Sequence, residues 1–148
     1  MTSIPIIPPT VIVKDTGTAK GRGVFAGRAF TVGEIVEESP VVLLDTWYKD
    51  LPKDLKNIVF NWNGLCHSAG FGGSKFGCAL AFGYAGVYNS SNPANLRYEP
   101  DPTHEVLRFI AIREIAVGEE LTINYDIETG TALPHQTKWF GERNIQEI

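Results

Sequence analysis

The sequence has few cysteines, no long hydrophobic run and no concentration of positive charge. Its two cysteines, Cys66 and Cys78, are too few for a disulfide framework, although a single bridge is compatible with this count. This favours an intracellular protein, cytoplasmic or nuclear. No stretch reaches the ~18 apolar residues of a membrane span. The apolar N-terminal residues lack the basic segment of a signal peptide, so we expect no contact with a membrane.

The charge balance excludes one class of partner and favours another. The formal net charge is −4, with no Lys/Arg-rich cluster, which disfavours direct binding to nucleic acid. Mild acidity suits a basic partner, such as a lysine-bearing peptide. The length of 148 residues, with 43% apolar and 20% charged residues, is typical of one globular domain, which we place at residues 1–148.

Glycine and proline are spread along the chain and predict many turns between short strands. Fifteen glycines and nine prolines occur without any internal repeat. Stretches rich in β-branched and aromatic residues predict the strands. We expect strands at 11–14, from 24 onward, on both sides of a bend at Pro40, over 105–115 and over 121–125. The composition therefore predicts one compact, mainly β domain.

One segment has a helical pattern of apolar residues. The residues on the common face are Leu51, Leu55, Ile58, Val59 and Trp62. This spacing predicts a helix from about Asp50 to Trp62, with Asp50 as the N-cap and Pro52 in the first turn. The glycine-dense stretch 64–86 is expected to form loops that join short strands. The tail, 137–148, is expected to form a short helix or an irregular segment.

Several common kinds of site do not match the sequence. The chain has no Gly-x-Ser-x-Gly elbow, and its histidines have no partner pattern, which disfavours a hydrolase triad. Cys66, His67 and Cys78 are three zinc-ligand types without the usual C-x₂₋₄-C pair, so buried thiols are favoured and no metal is expected. The stretch GRGVFAG, 21–27, resembles part of a phosphate loop, but it precedes a strand and lacks the lysine of that motif.

Three separated segments fit together better than any one of them. They are KGRGVFA at 20–26, YNSSNPAN at 88–95 and GEELTINYD at 118–126. Their order and spacing resemble the SET domain of protein lysine methyltransferases, over roughly residues 14–140. That family has a Gly-x-Gly segment, then Asn-His-Ser-Cys-x-Pro-Asn, and finally Glu-Glu-Leu-Thr-x-x-Tyr.

The resemblance implies a fold and a domain layout. We expect a mainly β protein of several small sheets of short strands, with one or two short helices. The segment 88–95 and the C-terminal strand would form a pseudoknot-like crossing, in which short polar side chains hydrogen-bond the buried backbone. The SET core would cover about 14–126. The tail, 127–148, would stand in the place of the post-SET segment, whose zinc-binding cysteines are absent here.

The resemblance also implies a cofactor, S-adenosylmethionine, and the residues that hold it. Those residues lie in the first segment, in the middle segment, at the end of the last strand and in the tail. They are Lys20, Gly21, Arg22, Gly23, Asn89, Ser90, Tyr125, Trp139 and Phe140. The first four would act mainly through the backbone, and the two tail aromatics would cover the adenine.

Two tyrosines take catalytic roles by the same resemblance. Tyr125 matches the family's active-site tyrosine, whose hydroxyl orients the lysine amine. Tyr98 matches the Phe or Tyr that sets how many methyl groups are added, and a tyrosine there goes with mono-methylation. The substrate would be a lysine-containing protein or peptide, with a histone tail as one candidate, and the enzyme a monomer or homodimer.

The chain departs from the family pattern in the middle segment. Ser90, Asn92 and Ala94 replace its histidine, cysteine and proline. In addition, Ser39 or Pro40 stands where many relatives have another active-site tyrosine. The candidates to fill that wall of the site are Tyr48, Tyr84 and Tyr88, and the sequence does not choose among them. Backbone donors survive such side-chain changes, so binding of the cofactor is retained in the first hypothesis. The alternative is a weak or inactive module that binds basic peptides.

Overall fold

The computed structural model describes residues 4–56, 58–125 and 128–131, which form short strands and two short helices. The strands are β1 (Val11–Asp15), β2 (Arg22–Ala26), β3 (Ile35–Leu44), β4 (Cys78–Ala81), β5 (Asn89–Ser90), β6 (Leu96–Asp101), β7 (Val106–Ala111) and β8 (Glu120–Ile123). The helices are α1 (Lys53–Lys56) and α2 (Trp62–Ser68), preceded by a 3-10 turn at Tyr48–Asp50. The mainly β fold with few short helices is therefore confirmed.

The first sheet brings together strands that are distant in the chain. Its order is β1-β2-β8-β5. β1 and β2 form an antiparallel hairpin, and β2 pairs antiparallel with β8, with Val24 opposite Leu121. The two-residue strand β5 pairs parallel with β8, placing Asn89 opposite Thr122. As a result, the first, middle and last of the three sequence segments lie in one sheet.

The chain after β5 forms the predicted crossing. The Ser91 N–H donates to the Ile123 carbonyl at the end of β8. Further along, the N–H groups of Ala94 and Tyr98 donate to the carbonyls of Gly130 and Glu128. The middle segment therefore pairs first with β8 and then with the residues that follow β8.

The second sheet has the order β4-β3-β7-β6, and β3 is one continuous strand. The expected division into two strands at Pro40 is wrong. A proline lacks the N–H that a ladder requires, but the pairs that join β3 to β4 begin one residue later, at Val41. The Pro40 carbonyl still accepts a hydrogen bond from the Phe82 N–H, and the exposed ring leaves the strand intact.

The helix expected over about residues 50–62 is present only in part, as α1 (Lys53–Lys56) and the first residue of α2, Trp62, so its predicted bounds and N-cap are wrong. Leu51 is extended, with ψ 146°, because the following Pro52 disfavours helical backbone at the residue before it. Asp50 therefore ends a 3-10 turn and caps no helix. The helical residues begin again at Trp62, inside α2, where Asn61 is the N-cap and accepts from the Gly64 N–H at 3.1 Å. The first part of the stretch 64–86 is thus helical and not a loop.

Backbone contacts group the chain into two compact units. Of the described residues, the first contains 4–7, Glu38–Gly86 and Glu99–Arg108, and the second contains Pro8–Glu37, Val87–Tyr98 and those from Phe109 to 131. Each has its own buried apolar residues, such as Trp62 in the first and Leu121 in the second. Among the described residues, no helix is long and apolar enough to cross a bilayer.

Both cysteines lie in the first unit, where they are free and buried. Burial raises the pKa of both thiols, because the charged thiolate is poorly solvated there. Cys66 and Cys78 are therefore structural thiols, as the sequence predicted, and no bridge joins them.

An ion-pair cluster lies at the turn between β6 and β7. Asp101 Oδ2 accepts from Arg108 Nη1 and from His104 Nδ1, each at 2.7 Å, and Arg108 Nε donates to Glu38 at 2.8 Å. Burial disfavours the ionised form of Asp101, but the hydrogen bonds from His104 and Arg108 outweigh it. The pKa of Asp101 is accordingly lowered to about 2.

We expect Asp101→Asn to destabilise the protein in a pH-dependent manner. The folded pKa lies below the unfolded one, so the carboxylate stabilises the fold above pH ~4, and this contribution disappears as the pH falls toward 2. The expected loss at pH 7 is about 2 kcal/mol. Urea unfolding should show that the difference in free energy of unfolding between the wild type and Asp101→Asn becomes smaller from pH 7 to pH 3. Asp45→Asn, at an exposed position, is the control. A loss of stability in Asp101→Asn that stays constant with pH would contradict this account.

Candidate active site

The turn between β1 and β2 supplies the first part of the site. We call residues 16–23 the glycine turn. The Thr16 N–H and hydroxyl both donate to the Gly21 carbonyl, at 2.8 and 2.7 Å, and close the turn. Gly21 has φ +74°, a conformation that disfavours a side chain, and a Cβ there would meet nothing within 4 Å. Gly21 is therefore required by the backbone conformation, and the space beside it is open.

Gly23 has a different role, because it lies at a point of close approach. A Cβ at Gly23 would lie 2.5 Å from Glu120 Oε2 and 3.1 Å from Asn89 Nδ2. Only a residue without a side chain lets β2 come this close to both groups. Glu120 belongs to the GEELTINYD motif but was not among the predicted site residues, whereas Gly23 was.

The middle segment is attached to the glycine turn by side-chain hydrogen bonds. Asn89 Nδ2 donates to the Arg22 carbonyl at 3.0 Å and to Glu120 Oε2 at 2.8 Å. Lys20 Nζ donates to the Ser90 carbonyl at 2.9 Å. The bonds from Asn89 to Arg22 and from Lys20 to Ser90 join residues 67 and 70 positions apart in the sequence, so two of the predicted site segments do meet.

Tyr125 lies at the same junction. Its main-chain N–H donates to Ser90 Oγ at 3.1 Å, and its hydroxyl donates to the Tyr88 carbonyl at 2.7 Å. Ser90, which replaces the histidine of the family motif, is fully buried. Its hydroxyl thus contacts the backbone of the predicted catalytic tyrosine.

Aromatic rings extend this cluster toward Tyr98. The ring centroids of Tyr88 and Phe109 are 4.8 Å apart, and those of Phe109 and Tyr98 are 5.7 Å apart. Tyr98 is 8% exposed. The Tyr88 hydroxyl donates to Glu37 Oε1 at 2.7 Å. Tyr98 is therefore connected to Tyr125 through Phe109 and Tyr88.

Asn95 attaches the crossing to β8. Its side-chain amide bonds the backbone of β8 as a neighbouring strand would. Oδ1 accepts from the Thr122 N–H at 2.8 Å, and Nδ2 donates to the Glu120 carbonyl at 2.7 Å. The residue is 1% exposed. The asparagine that ends the middle motif thus satisfies backbone groups that the crossing would otherwise leave unpaired.

The structure therefore brings together most of the predicted site residues. Those that meet are Lys20, Arg22, Gly23, Asn89, Ser90 and Tyr125, with Gly21 in the same turn. Trp139 and Phe140 lie outside the described residues. Ser39, one of the two positions at which the resemblance implies another tyrosine, is fully buried, and its hydroxyl has no hydrogen-bond partner among the residues that the structure describes.

Two residues of the cluster, Glu37 and Glu120, were not named by sequence reasoning, and Tyr88 was one of three open candidates, with Tyr48 and Tyr84, for a wall of the site. Glu120 and Tyr88 are within or beside the matched motifs, so their positions were a usable signal. Glu37 lies in a strand of otherwise ordinary pattern, and nothing in the sequence connects it with Tyr88, 51 positions away.

We expect Gly23→Ala to weaken binding of the cofactor that the resemblance places at this junction. The added Cβ would overlap Glu120 Oε2 and displace the Asn89–Glu120 hydrogen bond. Calorimetry with S-adenosylhomocysteine should show affinity reduced by about tenfold or more, equivalent to roughly 1.4 kcal/mol. Gly86→Ala, where a Cβ would meet nothing within 4 Å, is the matched control. Equal affinities for the two variants would show that the close approach at Gly23 does not matter for binding.

Comparison with known proteins defines the class. A family model of the SET domain matches residues 21–126, which include all three sequence segments apart from Lys20. The chain therefore belongs to the SET domain family, and the resemblance on which the sequence analysis depended is confirmed.

Individual relatives agree with this class. The chain is 29% identical, over 122 residues, to the Schizosaccharomyces pombe histone-lysine N-methyltransferase specific for H3 lysine-37, covering 82% of this chain and 77% of that protein. The fold is similar to that of a Plasmodium falciparum protein assigned as a histone methyltransferase, with TM-score 0.61, 20% identity, and coverage of 90% and 99%. It also resembles Chaetomium thermophilum polycomb repressive complex 2 bound to S-adenosylmethionine, with TM-score 0.59, 21% identity, and coverage of 93% of this chain and 17% of that one.

Proposed function

We propose that this protein is an S-adenosylmethionine-dependent protein-lysine N-methyltransferase. The observation that carries the proposal is the position of Tyr125, which bonds both Ser90 and Tyr88 beside the glycine turn. Membership of the SET domain family and the similarity to a histone-lysine methyltransferase support the same activity. In this proposal residues 1–148 form a single SET domain, with a core at about 14–126 and a tail at 127–148.

The residues of the glycine turn suit the proposed cofactor. S-adenosylmethionine carries a carboxylate, and Lys20 and Arg22 place positive charge on this turn. The space beside Gly21 is open, which allows a ligand to approach the backbone there. Lys20, Gly21, Arg22, Gly23, Asn89 and Ser90 would hold the cofactor, with Tyr125 beside them and Trp139 and Phe140 over the adenine. When bound, S-adenosylmethionine supplies an electrophilic methyl group on its sulfonium.

The side chains around Tyr125 have a defined task in this reaction. The lysine substrate must lose a proton, since its reference pKa is about 10.4. A dry channel lined by aromatic rings disfavours the ammonium and so favours the neutral amine. The Tyr125 hydroxyl commits its proton to the Tyr88 carbonyl, which leaves oxygen lone pairs as the groups that can receive an amine N–H. The amine would thereby be oriented for transfer.

The substrate class follows from the relatives and from the charge. We infer a lysine-containing protein or peptide, with a histone tail as the leading candidate, because the S. pombe relative acts on H3 lysine-37. The net charge of −4 favours a basic tail. An intracellular location, cytoplasmic or nuclear, and a monomeric or homodimeric state belong to the same proposal.

The proposal is tested by incubating the purified chain with tritium-labelled S-adenosylmethionine and either core histones or cell-lysate protein. We expect label on lysine, located by mass spectrometry of the products. Absence of label in both mixtures, with no S-adenosylhomocysteine binding at millimolar concentration by calorimetry, would contradict the proposal. Only the alternative of an inactive module that binds basic peptides would then remain.

We expect Tyr98→Phe to change the products more than the rate. In the proposed site the Tyr98 hydroxyl restricts the space around the amine, so that mono-methylation predominates. Removing it should shift the products toward di- and tri-methyl-lysine, measured by mass spectrometry of the modified substrate. The wild type under the same conditions is the reference. A product distribution that does not change would exclude Tyr98 from this role.

A further inference from the structure

A buried carboxylate is hydrogen-bonded to Tyr88, whose carbonyl accepts from the proposed catalytic tyrosine. Glu37, in β3, is 3% exposed, and Tyr88, which precedes β5, is 1% exposed. The Tyr88 hydroxyl donates to Glu37 Oε1 at 2.7 Å. This length is typical of a strong hydrogen bond to a carboxylate. No assigned site residue is in this pair, although Tyr88 is adjacent to Asn89.

Packing alone does not explain such a pair. Burial of a polar or charged group disfavours folding unless hydrogen bonds compensate for the lost water. An apolar pair of similar volume would fill the same space without that cost, and replacing buried polar pairs in this way is often neutral or stabilising. The pair is therefore weak support for stability, and a role in fixing geometry is the better explanation.

Among the described residues, Tyr88 is held at three or more points. Its hydroxyl is bound by Glu37, its ring packs 4.8 Å from Phe109, and its carbonyl accepts the Tyr125 hydroxyl at 2.7 Å. A side chain fixed at its far end restrains its own backbone. The position of the Tyr88 carbonyl, and through it the direction of the Tyr125 hydroxyl, depends on where the Tyr88 ring is held.

We propose that Glu37 is a positioning residue that acts through Tyr88 on the Tyr125 hydroxyl. The inference rests on the proposed methyl transfer and adds to it a residue that lies outside the matched segments. Small displacements matter in such a reaction, since a shift of about 1 Å in a reacting group lowers rates by as much as ~100-fold. Glu37 would thus affect turnover without touching substrate or cofactor.

Three variants separate the hydrogen bond from the packing. Glu37→Gln keeps an oxygen that accepts from Tyr88, Glu37→Leu removes the acceptor, and Tyr88→Phe removes the donor but keeps the ring. With tritium-labelled S-adenosylmethionine and purified core histones, we expect Glu37→Gln to stay within about threefold of wild-type kcat. Glu37→Leu and Tyr88→Phe should each lower kcat about tenfold, with KM and the calorimetric Kd for S-adenosylhomocysteine nearly unchanged.

Repeating the Tyr88→Phe substitution in a Tyr125→Phe variant tests whether its effect acts through the Tyr125 hydroxyl. In that background no hydroxyl remains to be positioned, so adding Tyr88→Phe should cause no further loss in the single-turnover rate. A tenfold loss in both backgrounds would indicate a general structural role and overturn the inference. Wild-type kcat in Tyr88→Phe and Glu37→Leu would overturn it as well. A wild-type chain that transfers no methyl group would instead overturn the proposed function, and this inference with it.

Discussion

Tyr125→Phe is expected to lower turnover by about 100-fold while leaving the fold intact. Loss of one well-placed hydroxyl at a reacting group typically reduces rates by ~10²–10³. The phenylalanine ring keeps the packing. The hydrogen bond from the main-chain N–H of residue 125 to Ser90 Oγ does not involve the tyrosine hydroxyl and is retained. The rate is measured as transfer of tritium from S-adenosylmethionine to core histones. Circular dichroism and thermal unfolding establish that the fold is retained.

Tyr48 provides a matched control for this experiment. Its hydroxyl also donates to a main-chain carbonyl, that of Lys56, at 3.0 Å, but it lies in the first unit. Tyr48→Phe deletes the same kind of hydrogen bond and should keep turnover near the wild-type value. If Tyr125→Phe transferred methyl groups as fast as Tyr48→Phe does, Tyr125 would have no role in the chemistry.

Asn95→Ala is expected to cause a large loss of stability. Alanine would leave the Thr122 N–H and the Glu120 carbonyl, both at the crossing, without the side-chain partner they have now. Each buried group that loses its partner costs about 1–3 kcal/mol, so the expected loss is about 3 kcal/mol or more. Urea unfolding, monitored by tryptophan fluorescence, measures this loss of unfolding free energy. Because the crossing also holds the middle segment, affinity for S-adenosylhomocysteine should fall in parallel.

The same substitution at Asn61 gives the comparison. Asn61 caps α2 by accepting from the Gly64 N–H, at an exposed position. Loss of such a cap costs about 1 kcal/mol. Asn61→Ala should therefore be clearly less destabilising than Asn95→Ala. Equal losses for the two variants would show that the buried bonds of Asn95 do not hold the crossing.

The parts of the fold that sequence motifs determine were predicted well. Three separated segments indicated the family, and with it the mainly β fold and the crossing. Lys20, Asn89, Ser90 and Tyr125 meet because β5 and β2 both pair with β8, which the order of motifs implied. Their roles in binding and catalysis stay predictions.

Local pattern was a poorer guide where long-range pairing decides structure. Pro40 marked a break by composition, yet β3 continues because its pairs with β4 begin at Val41. Apolar spacing over 50–62 resembled a helix, but Pro52 forces Leu51 to be extended. The Glu37–Tyr88 bond joins residues 51 positions apart, and no local signal identifies such a pair.

A crystal structure of the chain with S-adenosylhomocysteine tests the central claim most directly. The account predicts the ligand against residues 20–23 and Asn89–Ser90, with its sulfur on the side of the Tyr125 hydroxyl. A ligand bound elsewhere on the chain, or a Tyr125 hydroxyl remote from the sulfur, would contradict it.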